Sequence, residues 1–352
     1  MVFDPLLLGI GISMKTRIIK KSIALICLLL LVFYSVIAIV PCKDNYVGEN
    51  RLLKADGALP MLIAHRGGSD EFPENTLEAF YNAYSIDENV VMETDVNLTR
   101  DGVLILNHDV RLDKTTNVVG LVEDWNYTDL ISQRVNFGYD NETEKTVLVG
   151  ERKIYQNENG VAVKPTDVSY PEGVEPRDSE IFYATKFEEL LLAFPNNIIS
   201  VEIKQKGDVG IRALDELVRI LEKHEAFDRV IITTFNGNVY RAVKSYQRNG
   251  EIPSSAMYSP SLFATVRYTL LYYFGLDLVF SDEVAVYQLP MEQLGVVYAK
   301  PEIIKSIHER NAAVQFWTID DEDDMRCLIE LGVDGIMTDC PSRLKAVLDE
   351  YR

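Results

Sequence analysis

Apolar and polar residues alternate along this chain with two periods. Short β-branched or apolar runs at 61–65, 90–95, 198–203, 229–234, 254–258, 276–280, 313–318 and 333–338 read as strands. Most are separated by stretches of helical period at 75–86, 208–225, 236–247, 302–310 and 321–331. Strand and helix in alternation, with eight strands, predict a closed parallel (β/α)8 TIM barrel. The run 103–107 is surplus to the eight. Thr99-Arg100-Asp101-Gly102 ahead of it is a turn signal, so it folds back on the second strand. A hairpin centred on Arg100 and Asp101 sets Leu98 against Val103, Val96 against Ile105 and Glu93 against His108.

Two stretches do not fit this alternation. Asp113–Lys186 is polar, rich in Asn, Glu, Gly and Pro, and without clear period, which predicts an insertion that forms a lid or small subdomain. Leu262–Phe274 is more apolar and aromatic than an outer barrel helix needs. Burial against the barrel wall explains it, and so does contact with lipid or an acyl chain.

Ahead of the barrel, Ser22–Val40 is an uncharged apolar run of nineteen residues, about 28 Å as a helix and close to the hydrocarbon thickness of a bilayer. Residues 1–41 carry a net charge of +3, in a chain whose formal charge is −19. Basic residues before the run and an acidic domain after it predict a cytoplasmic tail over 1–21, a transmembrane helix over 22–41, a linker over 42–59 and an extracytoplasmic barrel domain over 60–352. Secretion after signal cleavage is the alternative.

The acidic balance argues against a nucleic-acid partner. Cys27, Cys42, Cys327 and Cys340 have neither disulfide-framework nor zinc spacing, though a Cys327–Cys340 bridge is open. Asn97, Asn126 and Asn141 begin sequons, Asn97 a poor acceptor because it lies in the hairpin. His224 and His308 lie in charged helical stretches and read as surface residues.

Candidate chemistry concentrates in Leu62–Asp109. Glu93 and Asp95 are two apart on one strand and so share a face, where two carboxylates repel unless a cation lies between them. His65 ends the first strand, Gly67-Gly68 turns the chain, and Arg66 offers a planar fork of donors. Glu74-Asn75-Thr76 opens a helix, with Asn75 as N-cap and Glu78 as the capping glutamate, or else serves the site. In a barrel, strand ends gather on one rim, which adds Glu202 and Lys204 at the end of 198–203 and Trp317 at the end of 313–318. Lys204 is read either as a phosphate ligand or as an ion pair with Glu202.

The ordered pieces His65-Arg66-Gly67, Glu74-Asn75-Thr76, Glu93-Thr94-Asp95, Asp101-Gly102 and His108-Asp109, with Val201–Lys204, Phe316–Asp320 and Gly332–Asp339, resemble the glycerophosphodiester phosphodiesterases over about residues 60–345. The resemblance implies hydrolysis of a glycerophosphodiester to an alcohol and sn-glycerol 3-phosphate. It implies one divalent cation on Glu93, Asp95 and Glu202, a set of hard oxygen ligands that suits Mg2+ or Ca2+. His65 and His108 become the acid–base pair, Arg66 and Lys204 hold the phosphate, and Trp317 walls the substrate. The attacking group is glycerol's neighbouring hydroxyl, through a cyclic phosphate, or water directly. A membrane-associated lysophospholipase D is the alternative activity, and a non-catalytic binding barrel the remote one.

Overall fold

A computed structural model describes residues 19–29, 32, 46–141, 152–277 and 280–352. The chain divides into two compact units, Met1–Lys43 with Arg267–Ser281, and Asp44–Val266 with Asp282–Arg352. In the first unit residues 19–29 are helical, with Ile23, Leu25, Ile26, Leu28 and Leu29 exposed. The rest of the run Ser22–Val40, at 30–31 and 33–40, lies outside the described residues, as do Cys42 and residues 1–18. Among the described residues no helix is long and apolar enough to cross a membrane.

The second unit holds the barrel. Its strands are β1 (Met61–Ala64), β2 (Val91–Leu98), β4 (Ile199–Ile203), β5 (Val230–Thr233), β6 (Met257–Tyr258), β7 (Val286–Leu289), β10 (Ala313–Phe316) and β11 (Gly335–Thr338). They pair in parallel in the order β6-β5-β4-β2-β1-β11-β10-β7. The ring nearly closes between its ends, where the Ala285 amide donates to the Tyr258 carbonyl at 3.0 Å. The strands are buried on both faces, which is why most of these runs are largely apolar rather than alternating; β2 is the exception, with Glu93, Thr94, Asp95 and Asn97 buried in it. Inside the ring Gln288 donates to Ser200 Oγ and Gln315 Oε1, a polar crosspiece from β7 to β4 and β10.

One expected strand is displaced. The run 276–280 forms no strand among its described residues, 278–279 lying outside them, and the barrel takes Val286–Leu289 instead. Both are short apolar runs, and period alone cannot rank them. Parallel pairing of Ala313–Phe316 with Val286–Leu289 decides it.

The hairpin is present with a shifted register. β3 (Leu104–Leu106) pairs antiparallel with β2, and Leu98 faces Leu104, Asn97 faces Ile105 and Val96 faces Leu106. Thr99 pairs with Val103 across a three-residue loop in which Gly102 has φ 80, so one residue more than expected sits in the turn. Asn97 is fully buried and donates to the carbonyls of Asn107 and Asp109, which bears out its poor fit as a sequon. Asn141 is buried too, on the carbonyls of Asp113 and Thr116.

Tyr46 and Leu52 pack on Ile231, Met257, Ala285, Val286 and Ala313, and so close the floor of the barrel at the starts of β5, β6, β7 and β10. The Tyr46 hydroxyl donates to the Ser255 carbonyl, and Asn50 to the carbonyls of Ala285 and Asn311.

In the segment 113–186, residues 142–151 lie outside the described ones. Its last part is tied to the barrel by Arg177, which pairs with Glu78 at 3.0 Å and Glu189 at 3.2 Å and donates to the carbonyls of Tyr183 and Ala184. Glu78 is therefore a buried ion-pair partner, not a capping residue, and the helix Leu77–Ile86 is capped by Thr76, whose Oγ accepts from the Ala79 amide. Arg177→Ala leaves the Glu78 carboxylate buried and unpaired. The expected cost is about 3–5 kcal/mol, read from the denaturant midpoint against the parent chain.

His224 and His308 are not free surface residues. His224 Nε2 lies 2.7 Å from Glu188 and His308 Nε2 2.7 Å from the buried Asp334, both rings half-buried. Cys327 and Cys340 are unbridged, Cys327 exposed and Cys340 buried.

Candidate active site

Parallel strands in register bring distant residues to one rim. In the β2–β4 register Asp95 faces Glu202, and Glu93 lies one layer below, facing Ser200. His65 begins the turn that follows β1, and Trp317 follows β10. His65, Arg66, Glu93, Asp95, His108, Glu202, Lys204 and Trp317 line one cavity of about 330 Å³ at this rim. Every residue expected in catalysis, ion binding or substrate contact is thus brought together. His108 arrives by the shifted hairpin, where the Asn107 amide donates to the Asp95 carbonyl, and not opposite Glu93.

The turn after β1 explains how Arg66 and His65 diverge from adjacent positions. Arg66 has φ 53, Gly67 φ 89 and Gly68 φ 96. A Cβ on Gly67 would lie 2.7 Å from that of Ala79, and one on Gly68 would lie 2.7 Å from the Pro341 ring, so only glycine fits either place. The Arg66 amide donates to Glu93 at 3.0 Å, while its guanidinium reaches Glu74 at 2.8 Å and Asp95 at 3.3 Å. Glu74 and Asn75 support the site from behind. Asn75, itself at φ 60, donates to Asp95 Oδ2 and accepts from the Thr94 hydroxyl and the Asp95 amide. It does not cap the helix; Thr76 does.

Lys204 bridges Asp95 at 2.9 Å and Glu202 at 2.8 Å. Burial alone would lift the Asp95 carboxyl, but Lys204 and Arg66 outweigh it and hold it down to about 2. At Glu93 the charges of His65, Arg66 and Lys204 fall short. Burial first, and then the charge on Asp95, push its carboxyl up to about 7. Glu202 is also raised, by burial above all. Two carboxyls in one cavity are therefore short of positive charge.

Glu93, Asp95 and Glu202 fit a divalent cation by donor type and by this charge deficit. Their oxygens do not converge as a ready ligand shell. Among the described residues, three donors within 4.8 Å of one another occur at Asp70, Glu158 and Cys340, where Arg343 already pairs with Glu158.

His65 carries an orienting partner that sequence reasoning passed over. Its Nδ1 lies 2.6 Å from Asp339 Oδ1, leaving Nε2 on the side of Glu93, 3.9 Å away. Burial would lower the imidazole's pKa, but the hydrogen bond to Asp339 and the charges on Glu93 and Asp339 raise it. Asp339 is held in turn by the Ser69 hydroxyl and, through its amide, by Asp320. It stands one residue past β11, where the strand-end rule that found the other residues also points. Ser259, Thr265, Gln288 and Phe235 also line the cavity without having been singled out. Phe235 stands edge-on to Trp317 at 6.2 Å.

A family model described as the glycerophosphoryl diester phosphodiesterase family matches residues 65–343. A glycerophosphodiester phosphodiesterase of Caldanaerobacter subterraneus subsp. tengcongensis is 29% identical over 289 residues, covering 81% of this chain and 96% of the relative. Human lysophospholipase D GDPD3 is 27% identical over 311 residues, covering 82% and 85%. Among solved structures, an Oleispira antarctica phosphodiesterase in complex with the product sn-glycerol-3-phosphate superposes with a TM-score of 0.57 at 18% identity, covering 83% of this chain and 97% of that one.

Proposed function

Since the chain belongs to the glycerophosphoryl diester phosphodiesterase family and is a phosphodiester hydrolase, we propose that it cleaves glycerophosphodiesters to an alcohol and sn-glycerol 3-phosphate with His65 and His108 as acid and base. The observation that carries this reading is the single cavity in which two imidazoles, three carboxylates, Arg66 and Lys204 converge.

His65, oriented by Asp339 and with a raised pKa, is the proton donor to the leaving oxygen. His108, whose Nδ1 lies 3.1 Å from Asp109, takes the proton of the attacking group, which is water directly or else glycerol's neighbouring hydroxyl, with water then opening the cyclic phosphate. Arg66 and Lys204 face the phosphate and offset its charge. Glu93, Asp95 and Glu202 would hold a divalent cation, Mg2+ or Ca2+, which when bound would supply further charge neutralisation at the phosphate. Trp317 walls the alcohol or glycerol moiety. The deciding assay follows release of choline, ethanolamine or inositol from soluble diesters and from lysolipids, with Mg2+ and with Ca2+. No release with either ion from any of them overturns the reading.

Asp339→Asn tests the positioning role. With the tautomer of His65 no longer set, kcat falls about 100-fold while KM stays within a few-fold. Loss of the anion lowers the His65 pKa, so the alkaline limb of kcat/KM moves to lower pH. An unchanged kcat and an unmoved limb beside a lower thermal midpoint would mean that Asp339 serves stability alone.

Lysophospholipase D activity is the second reading. The exposed Phe235 at the cavity mouth favours it, offering an apolar path for a single acyl chain. The same proposal includes a bilayer anchor in the uncharged run Ser22–Val40, with the barrel on the extracytoplasmic side.

A further inference from the structure

Two features at opposite ends of one barrel sector are unused by the chemistry. At the catalytic rim, Phe235 follows β5, Leu262, Phe263 and Val266 follow β6, and Leu294 tips the two-stranded hairpin (β8, Glu292–Gln293; β9, Val296–Val297) that follows β7. All five are exposed, Phe263 by 77% and Leu294 by 98%. Residues 256–266 carry no charge. Large exposed apolar side chains on the segments that follow β5, β6 and β7 mark an interaction surface rather than ordinary scatter. At the floor, Tyr46 and Leu52 sit on Ile231, Met257, Ala285 and Val286, the starts of the same β5, β6 and β7.

We propose that the β5–β7 sector of the barrel docks side-on against a zwitterionic lipid bilayer, so that the mouth of the active site opens at the membrane surface. The inference rests on the proposed phosphodiester site and on the proposed anchor. Five residues separate Val40, the end of the apolar run, from Tyr46. An anchored run would thus end, in sequence, a few residues before the floor of this sector, while the other end of the sector presents its exposed apolar side chains. A barrel lying on its side brings both ends to one plane. The formal charge of −19 disfavours an anionic surface, which leaves zwitterionic lipid as the fitting occupant. Docking here would give the active site direct access to diesters held in the bilayer, the setting in which Phe235 and Trp317 meet an acyl or alkyl chain.

The test uses the full chain reconstituted in phosphatidylcholine vesicles. The combined variant Leu262→Ser, Phe263→Ser, Leu294→Ser is expected to lose about tenfold or more in kcat/KM on lysophosphatidylcholine held in the vesicles. Its rate on water-soluble glycerophosphocholine stays within about twofold of the parent's. Separately, Leu294→Trp is expected to add fluorescence that brominated phosphatidylcholine quenches, beyond the quenching of the unsubstituted chain. Equal losses on both substrates, or no added quenching, overturn the docking. Crosslinking of the patch to a second copy without quenching assigns the face to self-association and overturns it equally. If the parent chain cleaves neither diester, the proposed activity fails, while the quenching still decides the docking.

Discussion

Replacing His65 by alanine is expected to lower kcat by about three to four orders of magnitude, with little change in thermal midpoint. The imidazole is the proton donor of the proposed reaction, and general acid catalysis by a positioned side chain contributes on this scale. Its removal does not strand Asp339, which keeps the Ser69 hydroxyl as a partner. The fold cost is that of one truncated side chain on a rim turn. A ³¹P assay on glycerophosphocholine reads the result directly. A substrate whose leaving group needs no proton, such as a nitrophenyl diester, should recover much of the lost rate in the variant. A loss below about tenfold on the natural type of substrate removes His65 from the chemistry.

Glu93→Gln is expected to move activity and stability in opposite directions. In the cation-free protein the Glu93 carboxyl is pushed up to about 7 by burial and by its neighbour Asp95. An acid whose folded pKa lies above its unfolded value costs stability as pH rises from the unfolded pKa to the folded one. At pH 8 that cost is fully present, and glutamine removes it. The thermal midpoint of the chelator-treated variant should therefore exceed that of the chelator-treated parent at pH 8, and the two should converge near pH 4. The parent should gain stability when Mg2+ or Ca2+ is added, since a ligand bound only by the folded state raises the midpoint. The variant should gain far less, and its turnover should fall to background. Sites that hold charge for function are destabilised without their ligand. A variant that is less stable than the parent under chelation, or that keeps full cation response, removes Glu93 from the ion site.

The insertion and the barrel bear on these outcomes differently. Arg177 ties the end of the segment 113–186 to Glu78, on the helix that Thr76 caps. Asn75, next to that cap, holds Asp95. Loss of Arg177 thus loosens the helix start that supports the site, and a modest fall in activity beside the stability loss is the expected signature.

Local pattern determined much of this protein. Apolar runs separated by helical stretches were enough for the barrel, because parallel strands buried on both faces are mostly apolar. Strand-end placement was enough to gather His65, Glu93, Asp95, Glu202, Lys204 and Trp317, because a closed parallel barrel puts every strand's C-terminal end on one rim. Contacts between distant segments decided the remainder. Val286–Leu289 displaced 276–280 because pairing with β10, not hydropathy, selects the strand. Gly102 at positive φ added a residue to the hairpin loop and moved His108 by one register. Asn75 turned from helix cap to support of Asp95, and Asp339 became the partner of His65, because a side chain takes the strongest partner that the fold brings near, and sequence spacing carries no record of partners 20 or 274 residues away.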